Sequence, residues 1–246
     1  MAQASAARER LAVALDAPSL GAAEELLRRL GGVAGWLKVG LELYTAAGPA
    51  AVEAAARHGR VFLDLKLHDI PNTVAGAAAA ATQIGVELMT VHASGGPAML
   101  RAALEGAERG AARAGVRRPA LVAVTVLTSL GAEDLARTGV PAAPEAQALR
   151  LARLAQEAGL EGVVSSPREA ALLRRELGPD FRLVVPGIRP ASAGADDQAR
   201  TADPAEAIRA GADLLVVGRP ITQAADPAAA ARGVLDEIER SLRADA

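Results

Sequence analysis

The chain has 246 residues, a formal net charge of −2, 51% hydrophobic residues, only 2% aromatics and no cysteine. That length suits one large domain, and its core must come from Leu, Val, Ile and Ala. The composition excludes disulfides, thiol catalysis and thiolate metal sites, and scattered arginines with so few aromatics argue against nucleic-acid binding.

Residues 1–10 are small, polar and charged. They read as a flexible N-terminal tail and not as a signal peptide. Strand-like runs follow at 11–16, 36–40, 61–66, 88–92, 121–127, 162–165, 183–186 and 214–218. Helix-like stretches lie between them at 20–30, 49–58, 72–84, 97–114, 145–158, 167–177, 204–210 and 227–242. Several of these begin at or near Pro, which suits a first helical turn, and several stop at Gly, which suits a left-handed cap. No run of about 18 uncharged apolar residues marks a membrane span. The chain is expected to be cytoplasmic, which the lack of cysteine fits.

Eight strand–helix repeats predict a single-domain α/β protein over 1–246, a (β/α)8 TIM barrel. An open doubly wound sheet would place a glycine-rich phosphate loop after its first strand. Ala17-Pro18-Ser19-Leu20-Gly21 is not such a loop. Two connections are long, 128–144 and 187–201, and long loops after barrel strands often act as lids.

Of the 27 basic residues, all are arginine except Lys38 and Lys66. An ammonium can give up a proton near neutral pH, whereas a guanidinium cannot. Barrel enzymes work at the C-terminal ends of their strands. Here those ends carry Asp16, Lys38, Asp64, Lys66, His92, Thr128 and, after Gly218, Arg219. Asp64 and Lys66 are two apart on a predicted strand, so they are expected on one face, about 6.5–7 Å apart along the chain. Alternating carboxylates and ammoniums would hold a lysine protonated. A substrate carboxylate in that place would be repelled, and loss of CO2 would leave a carbanion beside the ammonium. Val185-Pro186-Gly187-Ile188-Arg189 and Val217-Gly218-Arg219 close the seventh and eighth strands. Barrels commonly bind phosphate there.

With these residues in place, the chain resembles the orotidine 5'-phosphate decarboxylase family from about Leu11 to Leu242. The run Asp64-Leu65-Lys66-Leu67-His68-Asp69-Ile70-Pro71-Asn72-Thr73 matches the family pattern D-x-K-x-x-D-I-P-N-T throughout. Supporting matches include Ala-Leu-Asp16, Leu-Lys38-Val-Gly, Thr-Val-His92-Ala, Val-Leu-Thr128-Ser and Asp196-Asp197-Gln198. The resemblance implies that Lys66 protonates C6 of the product between Asp64 and Asp69. It implies that Asp69, Ile70 and Thr73 come from a neighbouring subunit. Asp16 and Lys38 would hold the ribose and complete the charge network, and Thr128 would meet the pyrimidine edge. Gln198, Arg189 and Arg219, with Pro186 and Gly218, would surround the 5'-phosphate. The implied assembly is a homodimer with shared sites, acting on OMP to give UMP, with no metal and no organic cofactor.

Two rival readings remain. One resembles 3-keto-gulonate-6-phosphate decarboxylase, a magnesium-dependent relative with the same Asp-x-Lys-x-x-Asp run. The other is a silent nucleotide-phosphate sensor. Ile70-Pro71-Asn72-Thr73 argues against the first, and the complete charge network against the second. His68 is expected to pack or hydrogen-bond. His92 is balanced between site-lining and structural roles, and His58 is expected at a helix end in solvent. The alanine run 77–81 is expected to be a close-packed helix face.

Overall fold

The computed structural model describes residues 2–190 and 202–244, with side chains from Ala6 onward. In chain order the elements are α1 (Ala2–Glu9), β1 (Leu11–Ala14), α2 (Leu20–Leu30), β2 (Trp36–Gly40), α3 (Leu41–Ala47), α4 (Pro49–Ala56) and β3 (Arg60–Leu67). They continue with α5 (Pro71–Gln83), β4 (Leu88–His92), α6 (Gly96–Ala114), β5 (Ala120–Val124), α7 (Ala132–Arg137), α8 (Pro144–Glu157) and β6 (Gly162–Val164). The last are α9 (Pro167–Leu177), β7 (Arg182–Val185), α10 (Pro204–Arg209), β8 (Leu214–Val217), α11 (Arg219–Thr222) and α12 (Pro227–Ala244). The strands form a closed parallel barrel in sequence order, with β8 paired to β1. The fold is the TIM barrel that the repeats predict.

The pleat decides where the site lies. Successive side chains on a strand face opposite ways, so alternate residues enter the barrel. Ala12, Ala14, Trp36, Phe62, Leu88, Val122, Val184, Leu214 and Val216 pack together as the inner core. Their neighbours, such as Leu11, Val13, Leu37, Val39, Val61 and Leu63, join the larger core between strands and helices. One step further along the inner rows come Asp16 after Ala14, Lys38 after Trp36 and Asp64 after Phe62. The aromatics are few, yet two of them, Trp36 and Phe62, are spent on the barrel interior. Phe62 lies beneath the charged layer and lines the cavity above it, while Trp36 sits nearer the strand starts, with the Arg60 guanidinium 3.9 Å over its ring.

Three features differ from the sequence reading. Ala2–Glu9 is helical where a flexible tail is expected, with Ala7 buried and the following Arg10 Nη1 donating to Ala212 O at 3.0 Å. Alanine-rich segments favour helix once they have a surface to lie on. The short helices α3, α7 and α11 were not anticipated, since one or two turns carry too little periodicity to be read. The strand ladders of β1 and β5 also stop short of the polar residues at the mouth. The alanine run behaves as expected: Ala78, Ala79 and Ala81 are buried. Helix α6 approaches α5 so closely that a Cβ on Gly106 would lie 2.2 Å from Ala75 O.

Candidate active site

Strand β3 breaks its own regularity where the chemistry is concentrated. Leu63 pairs with Met89 and Leu67 with Val91, so four steps along β3 match two along β4. The surplus residues bulge, and Lys66 takes φ +52°, the one positive φ outside glycine among the described residues. A left-handed lysine costs on the order of 1–2 kcal/mol, so other contacts must hold it. This corrects the expectation that Asp64 and Lys66 sit along one extended strand. The bulge folds the lysine back, and its Nζ lies 2.9 Å from Asp64 Oδ2.

Asp64 is the hub. Lys38 Nζ lies 3.7 Å from Asp64 Oδ2 and 3.3 Å from Asp16 Oδ1. The carboxyls and ammoniums therefore alternate as Asp16, Lys38, Asp64, Lys66. The other Asp64 oxygen accepts from the buried Thr90 hydroxyl at 3.0 Å, and Thr90 Oγ1 accepts from the Lys66 backbone N–H at 2.8 Å. Burial alone would raise the pKa of Asp64. The charges of Lys38 and Lys66 and the hydrogen bonds from Lys66 and Thr90 outweigh it, holding the carboxyl below the ordinary aspartate value. Space for the Lys38 pair depends on a glycine: a Cβ on Gly40 would meet Lys38 Nζ at 2.8 Å and Asp16 Oδ1 at 3.2 Å.

These groups form one wall of a cavity of about 300 Å³ at the barrel mouth, within the range of small-molecule sites. Asp16, Lys38, Asp64 and Lys66 line it, and so do Thr128, Pro186, Arg189, Gly218 and Arg219. Valines 124, 126, 164, 184 and 216, with Leu127, supply its apolar lining. Arg189 and Arg219 follow β7 and β8, while the alternating charges lie on β2 and β3 and just past β1. The base of the loop after β7 is closed by a bridge between Ile188 and Ala202, with Arg189 N–H donating to Ala202 O at 2.9 Å. Gln198 and residues 191–201 of the second long connection lie outside the described residues, while the first, 128–144, carries α7. Among the described residues, no three His, Asp or Glu side chains are grouped to hold a metal ion.

Asp69, Ile70 and Thr73 do not line this cavity. They are exposed beyond β3, and Asp69 Oδ1 accepts from the Ile70 N–H at 2.6 Å. His68 and His92 lie outside it too, stacked on one another with ring centroids 5.2 Å apart. The Ser94 hydroxyl is 2.7 Å from His92 Nδ1. Burial lowers the pKa of His92, with further lowering from His68 and Lys66. His58 is exposed.

Sequence reasoning missed Thr90 and Gly40. Thr90 is hidden inside the strand-forming run Leu88-Met89-Thr90-Val91, where a β-branched residue needs no explanation. Gly40 ends β2, where glycine looks like ordinary punctuation.

Fold and site together define a (β/α)8-barrel enzyme whose mouth combines a lysine–aspartate relay with a cationic end at β7 and β8. The comparisons specify the family. A family model described as "Orotidine 5'-phosphate decarboxylase / HUMPS family" matches residues 9–234, and the chain belongs to that family. It is 54% identical over 235 residues to an orotidine 5'-phosphate decarboxylase of Moorella thermoacetica, covering 95% of this chain and 93% of that one. It is 58% identical over 227 residues to the enzyme of that name from Anaeromyxobacter sp. (strain K), covering 92% and 96%. Among solved structures, the orotidine 5'-phosphate decarboxylase of Lactobacillus acidophilus superposes with a TM-score of 0.82 at 37% identity, covering 94% of this chain and 99% of that one.

Proposed function

We propose that this chain decarboxylates orotidine 5'-monophosphate to UMP in pyrimidine biosynthesis, without a cofactor, and that Lys66 supplies the proton to C6. One observation carries the reading: the Asp16–Lys38–Asp64–Lys66 relay lines the same cavity as Arg189 and Arg219. The arginines suit a 5'-phosphate, since a guanidinium offers paired donors to phosphate oxygens. The valines suit the flat ring. The C6 carboxylate would then lie beside Asp64, like charge against like charge.

In the reaction the bond from C6 to the carboxylate breaks, CO2 leaves, and the electron pair stays on C6. That pair lies in the ring plane and cannot spread into the ring π system. An electron-sink cofactor or Schiff base would therefore gain little. An ammonium fixed where the charge develops stabilises the transition state directly, because it needs no reorganisation during the step. Lys66 then gives its proton to C6, and the neutral amine recovers one from solvent. Phosphate binding far from the reacting carbon can hold the ring in place and the loop closed.

The site is read as shared between two subunits of a homodimer. Asp69, Ile70 and Thr73 are exposed and do not line their own cavity. Ile70 is 66% exposed next to Asp69 and Thr73, so all three are open to a second subunit. Asp69 would then flank Lys66 of the other chain.

The test is incubation of the purified protein with OMP in EDTA while the orotate absorbance is followed. Steady loss with formation of UMP is expected. Activity that vanishes in EDTA would favour the magnesium-dependent relative. Nucleotide binding without turnover would favour a sensor.

A further inference from the structure

We infer that Thr90 is a positioning residue for Lys66, setting both the backbone from which the lysine springs and the carboxylate on which its ammonium rests. This rests on the reading of Lys66 as proton donor and extends it to a residue that does not line the cavity.

The geometry leaves the hydroxyl one arrangement. A backbone N–H can only donate, so Thr90 Oγ1 accepts from Lys66 N at 2.8 Å. An ionised carboxylate can only accept, so the same hydroxyl donates to Asp64 Oδ1 at 3.0 Å. Asp64 Oδ2 in turn accepts from Lys66 Nζ at 2.9 Å. The path from Lys66 N through Thr90 and Asp64 returns to the Lys66 side chain and closes a ring. Both ends of the lysine are thereby tied to one hydroxyl.

The position of Thr90 explains why a side chain does this. It lies on β4 between Met89 and Val91, opposite the bulge where β3 loses its ladder register. An ordinary strand residue there would satisfy its neighbour through a backbone carbonyl. At the bulge, the Lys66 N–H finds the threonine hydroxyl instead. Without it, that N–H and Asp64 Oδ1 would each lose a partner in a mostly buried place, where an unmet polar group is costly. The left-handed lysine would have less to hold it against relaxing towards an ordinary strand conformation. Relaxation would swing the ammonium away from the cavity.

The test compares Thr90→Val, which keeps the shape and deletes the hydroxyl, with Thr90→Ser, which keeps the hydroxyl. Misplacement of a reacting group by about 1 Å can cost about 10²-fold in rate. Thr90→Val should therefore lower kcat about 10²-fold, with KM for OMP and affinity for UMP nearly unchanged, since the phosphate and ring contacts remain. Thr90→Ser should recover most of that loss. If Thr90→Val does not fold, Thr90→Ala against Thr90→Ser gives the same contrast. Equal losses in the valine and serine variants would assign Thr90 to packing and overturn the inference. So would wild-type kcat in Thr90→Val. Lys66→Ala, measured alongside, separates the two ideas. If it is inactive while Thr90→Val is normal, only the Thr90 inference fails. If it retains turnover, the proton-donor reading fails and takes this one with it.

Discussion

Replacing Asp64 by Asn removes one charge while keeping size and hydrogen-bonding capacity. The amide oxygen can face the lysines, and its NH2 group can face Thr90 Oγ1, which has a second lone pair. What is lost is the anion between two ammoniums, one at 2.9 Å and one at 3.7 Å from the same oxygen. At an effective dielectric near 20, Coulomb's law gives about 4–6 kcal/mol for each such contact. Desolvation of the carboxylate takes back part of this. Breaking a buried pair from one side costs about 3–5 kcal/mol, and the open cavity points to the lower end. For a domain of this size, about 3 kcal/mol corresponds to a fall in Tm of about 6–12 °C. The penalty should shrink in acid. The folded-state pKa of Asp64 is lowered, so its stabilisation is complete above the ordinary aspartate value near pH 4 and disappears as pH falls through the folded value. Turnover should fall by about 10²-fold or more, because Lys66 loses its anchor. Calorimetry from pH 3 to 8 and a steady-state assay would measure both effects. A Tm within about 2 °C of wild type at pH 7 would show that Asp64 is not the hub of the charge network, as would a kcat within about threefold.

Arg219→Ala should weaken use of the phosphorylated substrate by about 2–5 kcal/mol, the usual cost of losing a charged contact to phosphate; an unchanged kcat/KM would remove Arg219 from the phosphate site. Mixing inactive Lys66→Ala and Asp69→Ala chains should restore about a quarter of wild-type activity, since half the dimers are then mixed and each has one intact site of two. No recovery after subunit exchange confirmed by mass spectrometry would mean that each pocket comes from a single chain. The lowered pKa of His92 means that the unfolded chain takes up a proton first as pH falls below about 6.5, so stability declines with acid. His92→Gln should flatten the Tm profile between pH 7 and 5, and an unaltered slope would exclude His92 as its source.

The barrel was legible because eight strand–helix repeats carry their own punctuation, and a closed parallel sheet is what such repeats build. The charged wall was legible from residue type alone: in an arginine-rich chain, Lys38 and Lys66 stand out, and the strand-end rule places them at the mouth. Arg189, Arg219 and Thr128 follow by the same rule, and all three line the cavity. The bulge was not legible. Asp64-Leu65-Lys66 reads as two residues on one face of a strand, and only the β3–β4 register shows that Lys66 turns back. Thr90 and Gly40 escaped for a related reason. Their roles arise from what lies across the sheet, where a single hydroxyl and a missing Cβ leave no local pattern. His68 packs as expected, and the open reading of His92 falls on the structural side: the two rings stack together outside the cavity.

Proton donation by Lys66 to C6 is tested most closely by the turnover of Lys66→Ala with OMP, paired with UMP binding to the same protein. Loss of a general acid alone lowers the rate by about 10²–10⁴-fold, and Lys66 also supplies the charge that meets the carbanion. The expected result is that kcat falls at least that far while UMP still binds, held by the groups around Arg189 and Arg219. Retention of more than a few per cent of the wild-type kcat, above the roughly 1% left by a loss of about 10²-fold, would show that Lys66 is not the donor.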